Sequence, residues 1–465
     1  VELKGRKVVV LGLGDTGLSM ARWLAGRGAD VRIADTRREP PHAATLAREL
    51  PRAPLAAGPF SGETLRGAEL VAISPGLDRR EEPIAGAIRR GVPVVGDVEL
   101  FAQALKTLIP HPSSLIPPKV VAITGSNGKS TVTAMAGEIL RAAGRRTTVA
   151  GNIGTPVLDA LREIEAGAPM PEAFVLELSS FQLESTSSLE PDAAAMLNLT
   201  EDHLDRYDGL DDYAAAKARV FAGGGVQVLS RDDRRSLDMK RPGRTHYTFG
   251  TGRPGAETEW GIRAARGGDE LARGPHALMA VSELPLAGLH NAANALAAHA
   301  LACAVGATDA ALARALRSFQ GLPHRMQPVA ERGGVLFLDD SKGTNVGATV
   351  AALAGLARPV VLIAGGDGKG QDFTPLAPAV RARARAVVLI GRDADRLARA
   401  IAGSGVPVER AAGMDEAVAA ALRASREGDA VLLSPACASY DMFRNYAHRG
   451  DAFAAAVRRL AGREG

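Results

Sequence analysis

The sequence predicts an α/β protein of three domains, and three observations carry that expectation. At 465 residues the chain has room for about three domains of ordinary size. Short apolar runs of strand length alternate with segments of helical spacing through most of it. Two glycine-rich turns, Gly12 to Gly17 and Gly125 to Thr131, each stand between such a run and such a segment.

The second turn organises the rest. Val120-Val121-Ala122-Ile123 reads as a buried strand, Gly125-Ser126-Asn127-Gly128-Lys129-Ser130-Thr131 as a loop, and Val132, Met135, Ile139 and Leu140 as one helix face. A glycine turn opening a helix offers backbone N–H groups and the positive end of the helix dipole to an anion. Lys129 adds a charge for outer phosphates, and the Ser130 hydroxyl suits Mg²⁺. The usual pattern has glycine where Ile123 stands, whereas here it is Gly125. The reading is an ATP site.

Composition narrows the field. A hydrophobic share of 46% with 23% charged residues fits a globular chain. A net charge of +4 and 4% aromatics offer neither a basic stripe nor stacking platforms, so no nucleic-acid partner is expected. Cys303 and Cys437 stand far apart in small-residue surroundings and read as reduced core residues without metal-ligand spacing. No signal-peptide pattern and no run of eighteen apolar residues occur, so a cytoplasmic protein without a membrane partner is expected.

In chain order, Lys7 to Leu11 is a strand, followed by Gly12-Leu13-Gly14-Asp15-Thr16-Gly17 and a helix from about Leu18 to Arg27. Val31 to Asp35 is a second strand ending in an acid, and this completes a dinucleotide-type fingerprint. Such glycines serve a dinucleotide, another nucleotide or any tight βα turn. Strands at Leu70 to Ser74 and Val92 to Val95 complete a Rossmann-like parallel sheet over residues 1–106. Residues 107–118, with four prolines and no periodicity, read as a linker.

A central P-loop ATPase-like α/β domain, 119–321, follows. Thr147 to Gly154 is a strand entering a glycine turn, and Phe174 to Ser180 is an apolar strand carrying Glu177. A carboxylate there needs a partner, either a metal, a buried Arg or the strand end itself. Ala193 to Thr200 leads into Glu201-Asp202-His203-Leu204-Asp205, a polar turn where α/β sheets place ligands. Tyr213 opens a helix on which Lys217 reads as solvated. Residues 223–288 show β-like runs at Val226 to Leu229 and Thr245 to Phe249 but no clear order. Residues 322–465 read as a second doubly wound, Rossmann-like domain with strands at Val335 to Asp339, Val360 to Ala364, Ala386 to Ile390 and Ala430 to Leu433.

These motifs in this order resemble the Mur ligases of peptidoglycan synthesis. The likeness spans nearly the whole chain and includes Ser74-Pro75-Gly76, Gly96 to Phe101, Leu176 to Glu184, Asn198 to Tyr207, Asp339 to Gly347 and Leu433 to Asn445. It implies ATP-dependent ligation through an acyl phosphate, with UDP-N-acetylmuramoyl-L-alanine and D-glutamate as substrates, and a monomer. The first glycine loop then holds a UDP-sugar rather than a dinucleotide.

The resemblance also implies site residues. ATP would lie against Gly125, Ser126, Asn127, Gly128, Lys129, Ser130, Thr131, Asn291, Asn294, Arg325 and Asp340. Ser130, Glu177, His203 and Lys217 would hold two Mg²⁺ ions, Lys217 as a carbamylated lysine. Lys129, His203 and Lys217 form the implied catalytic set. Gly14, Asp15, Thr16, Asp35, Thr36, Arg37, Ser74, Gly76, Asn152, Ser179 and His203 would meet the UDP-substrate. Lys342, Thr344, Lys369, Ser439 and Tyr446 would meet D-glutamate. The chain departs from several family members in having Tyr446 for Phe, Gln327 for Glu and a long proline-rich linker.

Overall fold

Strand residues that are apolar at every position must be covered on both faces, and each domain is a sheet clad in helices for that reason. The computed structural model describes residues 2–108, 117–286 and 288–460. The first sheet holds β1 (Lys7–Leu11), β2 (Asp30–Asp35), β3 (Leu55–Ala57), β4 (Leu70–Ile73) and β5 (Val94–Val95). All pairings are parallel in the order β3-β2-β1-β4-β5. The first helix, Asp15–Gly26, starts earlier than the expected Leu18. Gly17 has to lie in its first turn, because a Cβ there would sit 1.8 Å from the Gly12 carbonyl oxygen.

The central sheet has nine strands: β6 (Lys119–Thr124), β7 (Thr147–Gly151), β8 (Ala173–Glu177), β9 (Ala193–Met196), β10 (Val226–Ser230), β11 (His246–Phe249), β12 (Glu259–Ala265), β13 (Gly268–Arg273) and β14 (His276–Ala280). Their order is β14-β13-β12-β11-β10-β9-β6-β8-β7, parallel except for the β12-β13-β14 meander. The stretch 223–288 thus has a definite order that its glycine- and arginine-rich turns hide in sequence. The chain steps from β6 outward to β7, returns to β8, then crosses to β9 on the other side of β6. That reversal opens a crevice at the carboxyl end of β6, where ligands of open α/β sheets bind.

The third sheet holds β15 (Gln327–Arg332), β16 (Val335–Asp339), β17 (Val360–Gly365), β18 (Ala384–Ile390), β19 (Val408–Arg410) and β20 (Ala430–Leu433), in the order β15-β16-β20-β17-β18-β19. Edge strands β15 and β19 lack the apolar runs of the interior strands, and neither was anticipated; β15 pairs antiparallel. The helix Asp97–Leu108 takes in the first two residues of the expected linker, and residues 109–116 lie outside the described part.

The two domain junctions differ in kind. Apolar residues of the first and central domains merge into one cluster, with Phe101 edge-on to Phe174 at 5.1 Å. The buried clusters of the third domain contain third-domain residues alone. Its contacts to the central domain at the cleft are polar: Arg325 to Ser130, Asn345 to Asn127, and Lys369 to Asp202. Small polar junctions permit domain motion, and large apolar ones resist it.

Candidate active site

Because β6 lies between β8 and β9, the loops leaving all three strands converge. The turn after β6 uses positive φ at Gly125 (154°) and Gly128 (82°), the latter capping the helix Lys129–Ala142. The loop after β9 braces it. Ser126 Oγ donates to the Thr200 carbonyl at 2.9 Å, and Asn127 N donates to Asn198 Oδ1 at 2.8 Å. Lys129 curls over the turn and donates to the carbonyls of Gly125 and Ser126, each at 2.9 Å.

Lys217 is buried, not solvated as its helical setting suggested. Its Nζ donates to the Gly125 carbonyl at 2.8 Å and lies 4.5 Å from the centre of the Tyr213 ring. The helix Leu210–Ala218 opens three residues before Tyr213 and turns Tyr213, Ala216 and Lys217 inward. Burial first, then the charge of Lys129, drives the Lys217 ammonium well below the usual lysine range. Burial also lowers Lys129, against the pull of Glu177.

Glu177 ends β8 with 1% of its surface exposed. Asn152, on the loop after neighbouring β7, donates to Oε1 at 2.7 Å, while Oε2 is buried without a hydrogen-bond partner among the described residues. Such an orphaned oxygen costs free energy unless a cation meets it. His203 has φ 56° and packs edge-on to Phe181 at 4.7 Å. Burial holds its pKa down to about 4 against the attraction of Asp202, so its imidazole is neutral at pH 7 and able to ligate a metal.

The third domain closes over this group. Arg325 donates to Ser130 Oγ at 2.6 Å, and Asn345 Nδ2 donates to Asn127 Oδ1 at 3.0 Å and Asp202 Oδ2 at 3.2 Å. Lys369 forms an ion pair with Asp202; with Asn345 it overcomes burial and holds that carboxyl at about 2. Asp340 accepts from Ser434 Oγ at 2.8 Å, and burial raises it to about 7. Lys342 lies 3.7 Å above the Tyr446 ring, lowered to about 8 by burial and by Arg325. Five non-glycine residues among those described have positive φ; His203 and Lys369 are two, and His324 and Met326 flank Arg325. Strained backbone of this kind gathers at working sites.

Between the domains lies a cavity of about 450 Å³. Asn127, Gly128, Thr131, Asn291, Asn294, Arg325, Asp340 and Lys342 form its polar side, and Leu197, Phe249, Leu289 and Ala352 are among its apolar walls. A Cβ on Gly128 would sit 2.6 Å from Asn294 Oδ1, so a side chain there would also push Asn294 aside. Thr344, Ser439 and Tyr446 lie beyond the ends of β16 and β20, beside Lys342 and Lys369, because β16, β20 and β17 are adjacent.

The first-domain residues gather at another edge. Gly14 caps the helix Asp15–Gly26, with Asp15 and Thr16 in its first turn; Thr36 and Arg37 follow β2, and Ser74 and Gly76 follow β4. Asp35 is 1% exposed, and its oxygens accept from Leu13 N at 2.6 Å and from Arg37 N, Nε and Nη2 at 2.8, 2.8 and 2.6 Å. It braces the glycine loop, which removes the ribose-binding acid on which a dinucleotide reading depends. Ser179, half-buried, follows Glu177 by two residues and caps the helix Ser180–Glu184.

Asp202, Asn345, Tyr213 and Asn198 are the site residues that the motifs did not single out. Asp202, Asn198 and Asn345 lie within runs that the resemblance covers, whereas Tyr213 had no such signal.

A second cluster lies elsewhere, at His299, Cys303 and Asp309, and it gives Cys303 the metal-ligand company absent from its sequence surroundings. Trp260 Nε1 donates to His299 Nδ1 at 2.9 Å, so a neutral ring carries its proton on Nε2, facing Cys303 Sγ at 3.3 Å. Arg273 already pairs with Asp309 at 3.2 Å. A protonated nitrogen is no ligand, and the cluster is an internal polar network.

Fold and site together define a three-domain phosphate-loop protein with its cleft between the second and third domains. Residues 6–96 match the family described as Mur ligase MurD-like, N-terminal domain; residues 123–302 match the Mur ligase middle domain; and residues 324–437 match the Mur ligase, glutamate ligase domain. A UDP-N-acetylmuramoylalanine--D-glutamate ligase of Thiobacillus denitrificans is 57% identical, covering 99% of this chain and 98% of its own. The protein of the same name from Nitrosospira multiformis is 55% identical, over 99% and 97%. Among solved structures, the UDP-N-acetylmuramate-alanine ligase MurC of Thermotoga maritima superposes with a TM-score of 0.60 at 21% identity, over 98% of this chain and 99% of that one. The chain belongs to the Mur ligase family. Among the described residues no helix is long and apolar enough to cross a membrane.

Proposed function

We propose that this protein joins D-glutamate to UDP-N-acetylmuramoyl-L-alanine, with ATP converted to ADP and phosphate. Support comes from the names of relatives more than half identical over the full chain. The observation that carries the reading is that third-domain cations close on a phosphate loop: Arg325 on Ser130, and Lys369 beside Asp202.

The substrate's alanine carboxylate attacks the γ-phosphorus in line, the bond to the bridging oxygen breaks, and ADP leaves. Lys129 and the loop N–H groups draw off charge from the transferring phosphoryl group. The amine of D-glutamate then adds to the acyl phosphate carbonyl. Collapse expels phosphate, and the ammonium proton passes to solvent or a nearby base. Lys342 and Lys369 would orient the two carboxylates of D-glutamate with Thr344, Ser439 and Tyr446, while Asn291, Asn294 and Asp340 would meet the nucleotide. Gly14, Asp15, Thr16, Thr36, Arg37, Ser74, Gly76, Asn152 and Ser179 would face the UDP-sugar.

The orphaned Glu177 Oε2 and the neutral His203 fit Mg²⁺, which Ser130, Glu177 and His203 would hold. When bound, Mg²⁺ offsets phosphate charge. Only an unprotonated amine adds CO₂, and burial shifts Lys217 toward that form; its carbamate would supply the anionic oxygen that an ammonium cannot. The same reading takes the protein to act as a cytoplasmic monomer.

Phosphate release with UDP-N-acetylmuramoyl-L-alanine and a panel of amino acids tests the reading. D-glutamate alone should support turnover, and turnover with L-glutamate or diaminopimelate instead would refute it.

A further inference from the structure

The run Gly96 to Phe101 takes no part in the site built above, yet two of its acids are almost wholly buried, Asp97 at 1% and Glu99 at 2% exposure. Both open the helix Asp97–Leu108 of the first domain, and both reach into the central domain. Gln182 Nε2 donates to Asp97 Oδ2 at 3.2 Å. The same Gln182 forms a capping box with Ser179: its N donates to Ser179 Oγ at 3.2 Å, and Ser179 N donates to Gln182 Oε1 at 3.2 Å. Glu99 is anchored separately, accepting from Ser187 N at 2.6 Å, Ser188 N at 2.8 Å and Ser188 Oγ at 2.6 Å.

A glutamine amide has a donor end and an acceptor end, and its flip is set by its partners. The carboxylate of Asp97 only accepts, so it turns the Gln182 NH₂ toward itself and the carbonyl toward Ser179 N–H. Removing Asp97 takes away the partner that holds the NH₂ end, so the buried amide loses one of the two restraints on its position and the capping box at Ser179 loosens. Ser179 lies two residues beyond Glu177 and is among the residues proposed to face the UDP-sugar peptide.

We propose that Asp97 is a positioning residue for the UDP-sugar peptide, acting through the orientation of Gln182 on Ser179. The inference rests on the assignment of Ser179 to that substrate. The first domain thereby sets part of a binding surface that belongs to the second.

The test measures KM for UDP-N-acetylmuramoyl-L-alanine, KM for ATP and thermal melting in five variants. Asp97→Ala should raise the UDP-sugar KM about tenfold, the worth of one buried hydrogen-bond arrangement, with the ATP KM unchanged. Asp97→Asn should restore most of the loss, since its carbonyl oxygen accepts the same bond. Gln182→Ala should match Asp97→Ala, and Asp97→Ala added to it should cost nothing more. Glu99→Ala breaks the other anchor and should leave the UDP-sugar KM unchanged. A normal KM in Asp97→Ala overturns the proposal, as does a rise in Glu99→Ala equal to that in Asp97→Ala, which would mean domain docking alone. If Asp97→Ala fails to fold, a normal KM in Gln182→Ala overturns it instead. Calorimetric titration of the parent with the UDP-sugar separates the two levels: no binding defeats the substrate assignment, whereas equal binding by parent and Asp97→Ala defeats only this inference.

Discussion

The guanidinium of Arg325 donates to the hydroxyl of Ser130 across 2.6 Å, although the two residues are 195 positions apart in the chain. Ser130 opens the phosphate-loop helix, and Arg325 stands at the entry to the third domain. This bond, beside that of Asn345 to Asn127, ties the domain to the loop where the nucleotide is proposed to bind. Arg325→Ala removes it, together with a cation from the cavity wall. The ATP KM should rise about tenfold or more, as for a charge-assisted hydrogen bond. Small-angle scattering should show a larger radius of gyration for the variant without ligand. Scattering curves identical to the parent's would show that the closed arrangement does not depend on Arg325.

Lys129 and Lys217 both donate to the carbonyl of Gly125, but they should respond differently to mutation. Lys129→Ala leaves the loop N–H groups and deletes the loop's own cation. Turnover should fall by roughly two to four orders of magnitude, as when a preorganised charge partner is lost. Phosphate release at saturating substrate measures it, and near-parent turnover would take Lys129 out of the mechanism.

Lys217→Ala should lose most activity and regain part of it in acetate, whose carboxylate can occupy the vacated space and supply an anionic oxygen. Lys217→Arg should remain inactive, because a guanidinium keeps its charge and cannot add CO₂. An acetate titration of ADP formation in both variants decides the matter. Full activity in Lys217→Arg would end the carbamate reading.

Asp340 offers a stability test with a definite sign. Its folded-state pKa is raised by burial to about 7 from an ordinary 3.8. The folded form therefore holds the proton more tightly than the unfolded chain does. Its contribution is fully present below about pH 4 and is lost as pH rises through about 7. Asp340→Asn, which is never charged, should melt at a temperature close to the parent's at pH 4 and above it at pH 8. Melting curves across that range check the prediction, and a gap that widens toward acid would contradict it. Activity should fall in the same variant, since stability at such a site opposes function.

Local signals determined much of this protein. The unbroken apolar runs at Val120 to Ile123, Val360 to Ile363 and Ala430 to Leu433 demand cover on both faces, which in an α/β chain means parallel strands under helices. The glycines at 125 and 128 announce a phosphate loop, because only glycine is at ease at those positive φ values. Lys217 shows what remained hidden. Its helix has scarcely any amphipathic pattern, being rich in alanine, so nothing local says which side faces inward. Only the packing of Tyr213 and Lys217 against the turn after β6 decides that, by bringing residues 92 positions apart to 2.8 Å. Asp35 shows the converse. Its place at the end of β2 suggested a ligand contact, and the structure gives its oxygens to Leu13 and Arg37 instead. Spacing along a chain reports which backbone a residue sits on; which partners consume a carboxylate or strip water from an ammonium depends on segments brought together only by the folded sheet.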